Sequence, residues 1–256
     1  MQAVIMAGGK GTRIASIASD IPKPMIPVCD KPILQYEIEC LKRQGITDIF
    51  LIIGHIGHVI KEYFGDGSRF GVNIRYINEE EPLGTAGALF YLKDEIRDDF
   101  LLVNGDIIFD VNFERFYEFH KLHGGVATIL THPNSHPYDS GIVITDSNSV
   151  VIQWLHKEDE RLYYKNRVNA GIHILSPEVF DMFTEVKKTD LDREILKALI
   201  PDGLLVAYDS PEYVKDMGTP ERYYMVVDDI KSGRVYAKNL KNKFMVLSRE
   251  SWIMLL

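Results

Sequence analysis

The segment Gly8-Gly9-Lys10-Gly11-Thr12-Arg13 follows directly on a short apolar run, Gln2 to Met6, and offers the first chemistry in the chain. Three residues without a Cβ, set where a strand turns, let backbone N–H groups approach an anion closely. Ala7 leads into the turn, while Thr12 adds a hydroxyl and Arg13 a permanent cation. The loop lacks the Gly-Lys-Ser/Thr ending of a P-loop and the third glycine of the dinucleotide fingerprint. A tight turn with no ligand is the lesser alternative for the loop taken alone. Close behind it, Pro22-Lys23-Pro24 holds a lysine between two prolines, which stiffen the backbone and present the ammonium from a fixed segment. Beside a phosphate loop such a lysine suits a triphosphate; by itself it is an extended surface loop.

Two acidic residues could hold a hard cation. Asp106 ends an apolar strand in Asn104-Gly105-Asp106, and Asp216 lies in Asp216-Met217-Gly218-Thr219 near the far end of the chain. Magnesium keeps several waters and takes one or two carboxylates together with phosphate oxygens, which this pair could supply. Taken singly, each Asp reads as a cap or turn former. The stretch Glu80 to Ala88, including Glu81, Gly84, Thr85 and Gly87, places small residues where a nucleobase ring could lie; packing through small residues explains it equally well. No histidine falls in a His-Glu-x-x-His pattern, and no Gly-x-Ser-x-Gly elbow marks a nucleophile. Cys29 and Cys40 fit no metal spacing and suit a reducing cytoplasm.

These residues must be positioned by an alternation of strands and helices. Helical spacing runs from Lys31-Pro32 to Gly45, and then strands at 48–54, 73–78, 100–103 and 126–131 alternate with helices at 58–64, 84–96 and 113–122. That order implies a mainly parallel sheet with helices on both faces, whose ligands lie beyond the carboxyl ends of the strands. Both Gly8–Arg13 and Asn104–Asp106 fall at such ends, so one cleft can hold them. After Pro137 short β pieces at 141–145, 150–154 and 168–175 suggest a smaller β-rich lobe, followed by helices at 177–184 and 191–199, a strand at 204–208 and a helix at 220–230.

The 256 residues carry a formal charge of −8, which argues against a nucleic-acid surface, since that needs clustered Lys and Arg. No run reaches the ~18 apolar residues that a membrane span requires. Any phosphate must therefore be gripped locally, in a soluble protein without nucleic-acid or membrane partners.

Together, in this order, Gly8–Arg13, Pro22-Lys23-Pro24, Glu81–Gly87, Asn104–Asp106, Asn169-Ala170-Gly171 and Asp216–Thr219 resemble the signature of the sugar-1-phosphate nucleotidyltransferases. The resemblance covers about residues 1 to 232. It implies an α/β, Rossmann-like, mainly parallel mixed sheet, with a nucleotide-binding part at 1–136, a sugar-binding part at 137–232, and a linker and tail at 233–256. It implies a reaction in which a nucleoside triphosphate and a sugar 1-phosphate give a nucleotide sugar and pyrophosphate, for surface polysaccharide synthesis. Arg13, Lys23 and Asp106 become catalytic, and Asp106 with Asp216 the Mg²⁺ ligands. Ala7, Gly8, Gly9, Gly11, Thr12, Glu81, Gly84, Thr85 and Gly87 become the nucleotide site. Gly141, Lys157, Asn169 and Gly171 would meet the sugar phosphate.

Where the family usually has a Glu-Lys-Pro triplet, this chain has His156-Lys157-Glu158 and keeps only the lysine. Glu81-Pro82-Leu83-Gly84-Thr85-Ala86-Gly87 is most similar to guanylyltransferases of the mannose and heptose 1-phosphate type, which implies GTP. The tail at 238–256 lacks the aspartates of the phosphatase that follows some similar chains, and could pack on the body or on a second subunit of a homo-oligomer. The rival from another class is a silent nucleotide-sugar sensor of the same fold; an NAD-dependent oxidoreductase is a third reading.

Overall fold

The structure is a computed structural model and describes residues 1–9, 21–54, 56–134, 137–162 and 164–235. Gly11, Thr12 and Arg13, and the tail at 238–256, lie outside the described residues.

Strand β1 (Gln2–Met6) lies between β4 (Asp48–Ile53) and β6 (Phe100–Asn104), parallel to both, and β5 (Asn73–Asn78) adds to β4 in parallel. Between β1 and β4 come two short strands, β2 (Pro27–Val28) and β3 (Lys31–Pro32), and helix α1 (Ile33–Arg43). Period-two alternation decides the layers. Ala3 and Ile5 point to one face, where Leu34, Ile38 and Leu41 of α1 pack with Phe64 of α2 (Gly57–Phe64). Val4 points to the other, against Leu89, Leu92 and Leu196. Helix α1 ends as its sequence anticipates: Gly45 N–H donates to Lys42 C=O and Ile46 N–H to Leu41 C=O, the paired bonds that satisfy a helix C-terminus.

After β6 the chain forms β7 (Ile107–Asp110), helix α3 (Phe113–His123) and β8 (Ala127–His132). The strands beyond 137 are β9 (Ile142–Thr145), β10 (Val151–Leu155), β11 (Val168–Leu175) and β12 (Leu205–Asp209). They extend the same nine-stranded sheet, because β11 pairs antiparallel with β6 on one side and with β8 on the other. Strand β13 (Tyr213–Asp216) pairs antiparallel with β7 outside that sheet, and helix α4 (Pro220–Lys231) follows.

Three expected helices take other forms. The span 84–96 winds as a 3₁₀ helix only over Gly87–Leu92; Gly84 (φ +82°) and Ala86 (φ −143°) are not helical, and the N–H groups of Thr85 and Ala86 donate to Thr189 C=O. The span 177–184 is 3₁₀ over Pro177–Met182, and 191–199 is π-helical over Leu191–Leu196 before a 3₁₀ turn at Lys197–Leu199. Among the described residues no helix is long and apolar enough to cross a membrane.

Candidate active site

The ends of β1 and β6 lie side by side, with Met6 in register with Asn104. Gly105 N–H donates to Met6 C=O at 3.0 Å, and a Cβ on Gly105 would stand 2.9 Å from that same oxygen. The chain therefore passes from Asn104 to Asp106 directly against Met6 and Ala7, the residues that lead into the glycine loop.

Lys23 begins a 3₁₀ turn, Lys23–Met25, capped by Pro22, and its Nζ forms an ion pair with Asp106 Oδ2. The lysine side chain is 10% exposed and the aspartate 33%, so the pair sits at the floor of the cleft with the carboxylate open to it. Asp216 arrives from β13. It stands opposite Ile107, and Met217 N–H donates to Asp106 C=O at 3.1 Å. The two carboxylates predicted as a pair are thus held on adjacent backbones. Asp216 Oδ1 accepts from Arg222 Nη1 at 2.6 Å and from Gly218 N–H at 2.9 Å. Burial alone would raise the Asp216 carboxyl, but Arg222, Gly218 and the Lys23 ammonium together hold it below the usual carboxylate range. Two hard oxygen donors on one wall fit a magnesium ion that draws its remaining ligands from water and phosphate. Among the described residues, no group of three or more His, Cys, Asp or Glu is placed to hold a metal without such help.

Two further carboxylates escaped the sequence reading. Glu37 of α1 is 1% exposed, and its Oε1 accepts from Ile107 N–H at 3.2 Å, one residue beyond Asp106. Burial holds its pKa well above the ordinary value, and the Asp106 charge adds to that. Helical spacing marks position 37 only as inward-facing; nothing in it says the inward face meets a strand end. Glu79 follows β5 and lays its Oε2 against Gly8, where a Cβ would collide with it, while its Oε1 accepts from Leu83 N–H at 3.2 Å. Burial raises its pKa, offset in part by the Leu83 bond.

The segment Glu81–Gly87 crosses the same end of the sheet. Glu81 and Gly84 are exposed, whereas Gly87 is buried and leaves no room for a side chain beside Lys187 C=O. Thr85 Oγ1 accepts from Leu191 N–H at 2.7 Å. On the sugar side, Asn169 and Gly171 sit on β11, Lys157 lies in the exposed turn after β10, and Gly141 lets Trp154 approach, whose Nε1 would be 2.5 Å from a Cβ there. Gly171, at φ +75°, packs on Asn104, whose Nδ2 would be 2.5 Å from an added Cβ. So Asn169 and Gly171 connect through Asn104 to Asp106, which Lys23 and Asp216 flank. Arg13, Thr12 and Gly11 lie outside the described residues.

The nucleotidyl transferase family model matches residues 2–233. The chain is 33% identical over 227 residues to the mannose-1-phosphate guanylyltransferase catalytic subunit beta of Xenopus tropicalis, covering 87% of this chain and 62% of that protein. It is 33% identical over 229 residues to mannose-1-phosphate guanyltransferase of Saccharomyces cerevisiae, covering 87% and 63%. The chain thus spans less than two thirds of the length of these relatives. Among solved structures, HddC from Yersinia pseudotuberculosis superposes with a TM-score of 0.78 at 27% identity, over 90% of this chain and 99% of that one. A second structure of HddC, complexed with GMP-PN, gives a TM-score of 0.77 at 27% identity, with the same coverage.

Proposed function

Because the chain belongs to the nucleotidyl transferase family, we propose that it joins GTP to a sugar 1-phosphate, releasing pyrophosphate and a GDP-sugar. The observation that carries this reading is the Lys23–Asp106 pair flanked by Asp216 beside the joined ends of β1 and β6. In-line attack of a sugar-phosphate oxygen on the α-phosphorus forms one P–O bond as the bond to pyrophosphate breaks. Such chemistry asks for positioning and charge neutralisation rather than a nucleophilic side chain. Lys23, with Arg13 from the loop, counters the negative charge that builds on the α-phosphoryl oxygens. Asp106 and Asp216 would hold Mg²⁺, which would screen the phosphate charges. Lys157 takes the phosphate of the sugar, and Asn169 and Gly171 its hydroxyl side.

Guanine is favoured by Glu79. Its Oε2 lies against Gly8 while Oε1 holds Leu83 N–H, and a carboxylate acceptor at that place suits the N1–H and N2–H₂ donor edge of guanine. The curated relatives support mannose 1-phosphate as the sugar substrate, and the sequence resemblance adds D-glycero-α-D-manno-heptose 1-phosphate. Such an enzyme works in the cytoplasm, where GTP is available.

A pyrophosphate-release screen of GTP, ATP, CTP, UTP and dTTP against mannose, glucose and heptose 1-phosphates tests the proposal. Turnover with GTP and a manno-configured sugar is expected, and Asp106→Asn should remove it while the protein stays folded. Full activity in Asp106→Asn would take that residue out of the reaction.

A further inference from the structure

Strand β11 does not run evenly. Against β8 its register slips between Asn169 and His173, where four residues of β11 span two of β8, and Gly171 at φ +75° lies within the slip. A bulge of this kind re-aims side chains, and here it re-aims Asn169. Asn169 Oδ1 accepts from Gly171 N–H at 3.1 Å and meets Nε2 of the buried His173 at 3.0 Å. The Gly171 N–H donor calls for an oxygen on that side and fixes which way the carboxamide faces, so Nδ2 is turned to Asp192 Oδ1 at 3.2 Å.

Asp192 comes from the other wall. It belongs to the π-helical stretch Leu191–Leu196, a rare conformation that concentrates at functional sites. Its carboxylate has spent one lone pair on Asn169 and is only partly buried, so acceptor capacity remains. Leu191 N–H is bonded to Thr85 of the base-side loop, and Arg193 pairs with Glu158 at 3.5 Å, next to Lys157. The Asp192 carboxylate thus lies between a residue tied to Thr85 and one tied to Glu158, the chain neighbour of Lys157. A molecule with an anionic phosphate at one end and hydroxyl donors at the other suits that space.

We propose that Asp192 is a specificity-determining residue that accepts hydrogen bonds from hydroxyl groups of the sugar, with the bulge-locked Asn169 carboxamide beside it. The inference rests on the cleft being a sugar 1-phosphate site, and it names the residue that chooses among sugars. His156, which stands in place of the family's glutamate beside Lys157, brings no carboxylate to this wall. Asp192 supplies one from across the cleft.

The test is calorimetric binding of mannose 1-phosphate, glucose 1-phosphate and inorganic phosphate, with a non-hydrolysable GTP analogue and Mg²⁺ present. Asp192→Asn keeps the size of the side chain and should weaken mannose 1-phosphate about tenfold to a hundredfold, the loss expected for hydrogen bonds to a charged group. Affinities for inorganic phosphate and for the GTP analogue should stay within about twofold of wild type. Mannose 1-phosphate binding unchanged in Asp192→Asn, or phosphate binding reduced in parallel, overturns the proposal. Wild-type protein that binds neither sugar phosphate overturns both this inference and the reading of the cleft; wild-type binding with an unaffected variant overturns this inference alone. Asp192→Glu retains the charge while shifting the acceptors, and should alter the preference for mannose over glucose 1-phosphate at least threefold; an unaltered preference counts against the assignment.

Discussion

At the scale of single residues, the side chains that matter most in the cleft are carboxylates whose neighbours come from distant parts of the chain. Glu79 is the sharpest case, because the proposed reading assigns its Oε2 beside Gly8 to the donor edge of guanine. Glu79→Gln replaces one acceptor by a donor and should reduce the preference for GTP over UTP, in kcat/KM, about tenfold to a hundredfold. An unchanged ratio would remove Glu79 from base selection. His173 makes a different prediction. Burial pushes its pKa down to about 4, against a bond to Leu102 that raises it, so the folded protein holds the ring neutral where the unfolded chain binds a proton. That contribution to stability is intact above pH 6.5 and is lost as pH falls towards 4, amounting to about 3 kcal/mol. Urea unfolding across that range should show the loss in wild type and a flatter profile in His173→Gln. Lys23, Asp106 and Asp216 were legible in the sequence because prolines, a glycine and strand ends frame them. Glu37, Glu79 and Asp192 were not, since each gains its meaning from a strand or loop that only the sheet order brings near.

Elements were legible wherever local chemistry and packing agree. Helix α1 has a proline at its start, Gly45 at its end and an apolar stripe between, and it forms as that pattern requires. The stretch 84–96 has good helix formers yet winds only briefly, because Gly84 and Ala86 are not helical and its glycines admit a neighbouring backbone. Gly84 shows the cost of that arrangement: its φ is +82°, and an added Cβ would strike Thr189 C=O. Gly84→Ala should therefore lower stability by about 2 kcal/mol or more, combining backbone strain with the clash. Chemical denaturation measures it, and a loss below a few tenths of a kcal/mol would mean that the segment at 189 is not held there. The π-helical turn after Asp190 was read as ordinary helix, since sequence periodicity does not distinguish the two windings over six residues.

Across the whole molecule, the alternation of strands and helices gave the parallel half of the sheet, while the antiparallel half was legible only as a string of short β pieces. Their joining to the first half depends on β11, which pairs with β6, β8 and β9 at once. A sheet continuous through that strand should unfold as one body, so scanning calorimetry is expected to give a single transition without a separate melting of the later strands. Two resolved transitions would show that the halves are energetically independent. The same strand carries Asn169 and Gly171, and Gly171 rests against Asn104, two residues from Asp106. Backbone there is clamped from both sides, so on the proposed function any drift in how a sugar is seated would be transmitted to Asp106. New sugar preferences in such a chain are therefore expected to arise by exchanging side chains on the opposing wall, around Asp192, with the trace of β11 left as it is.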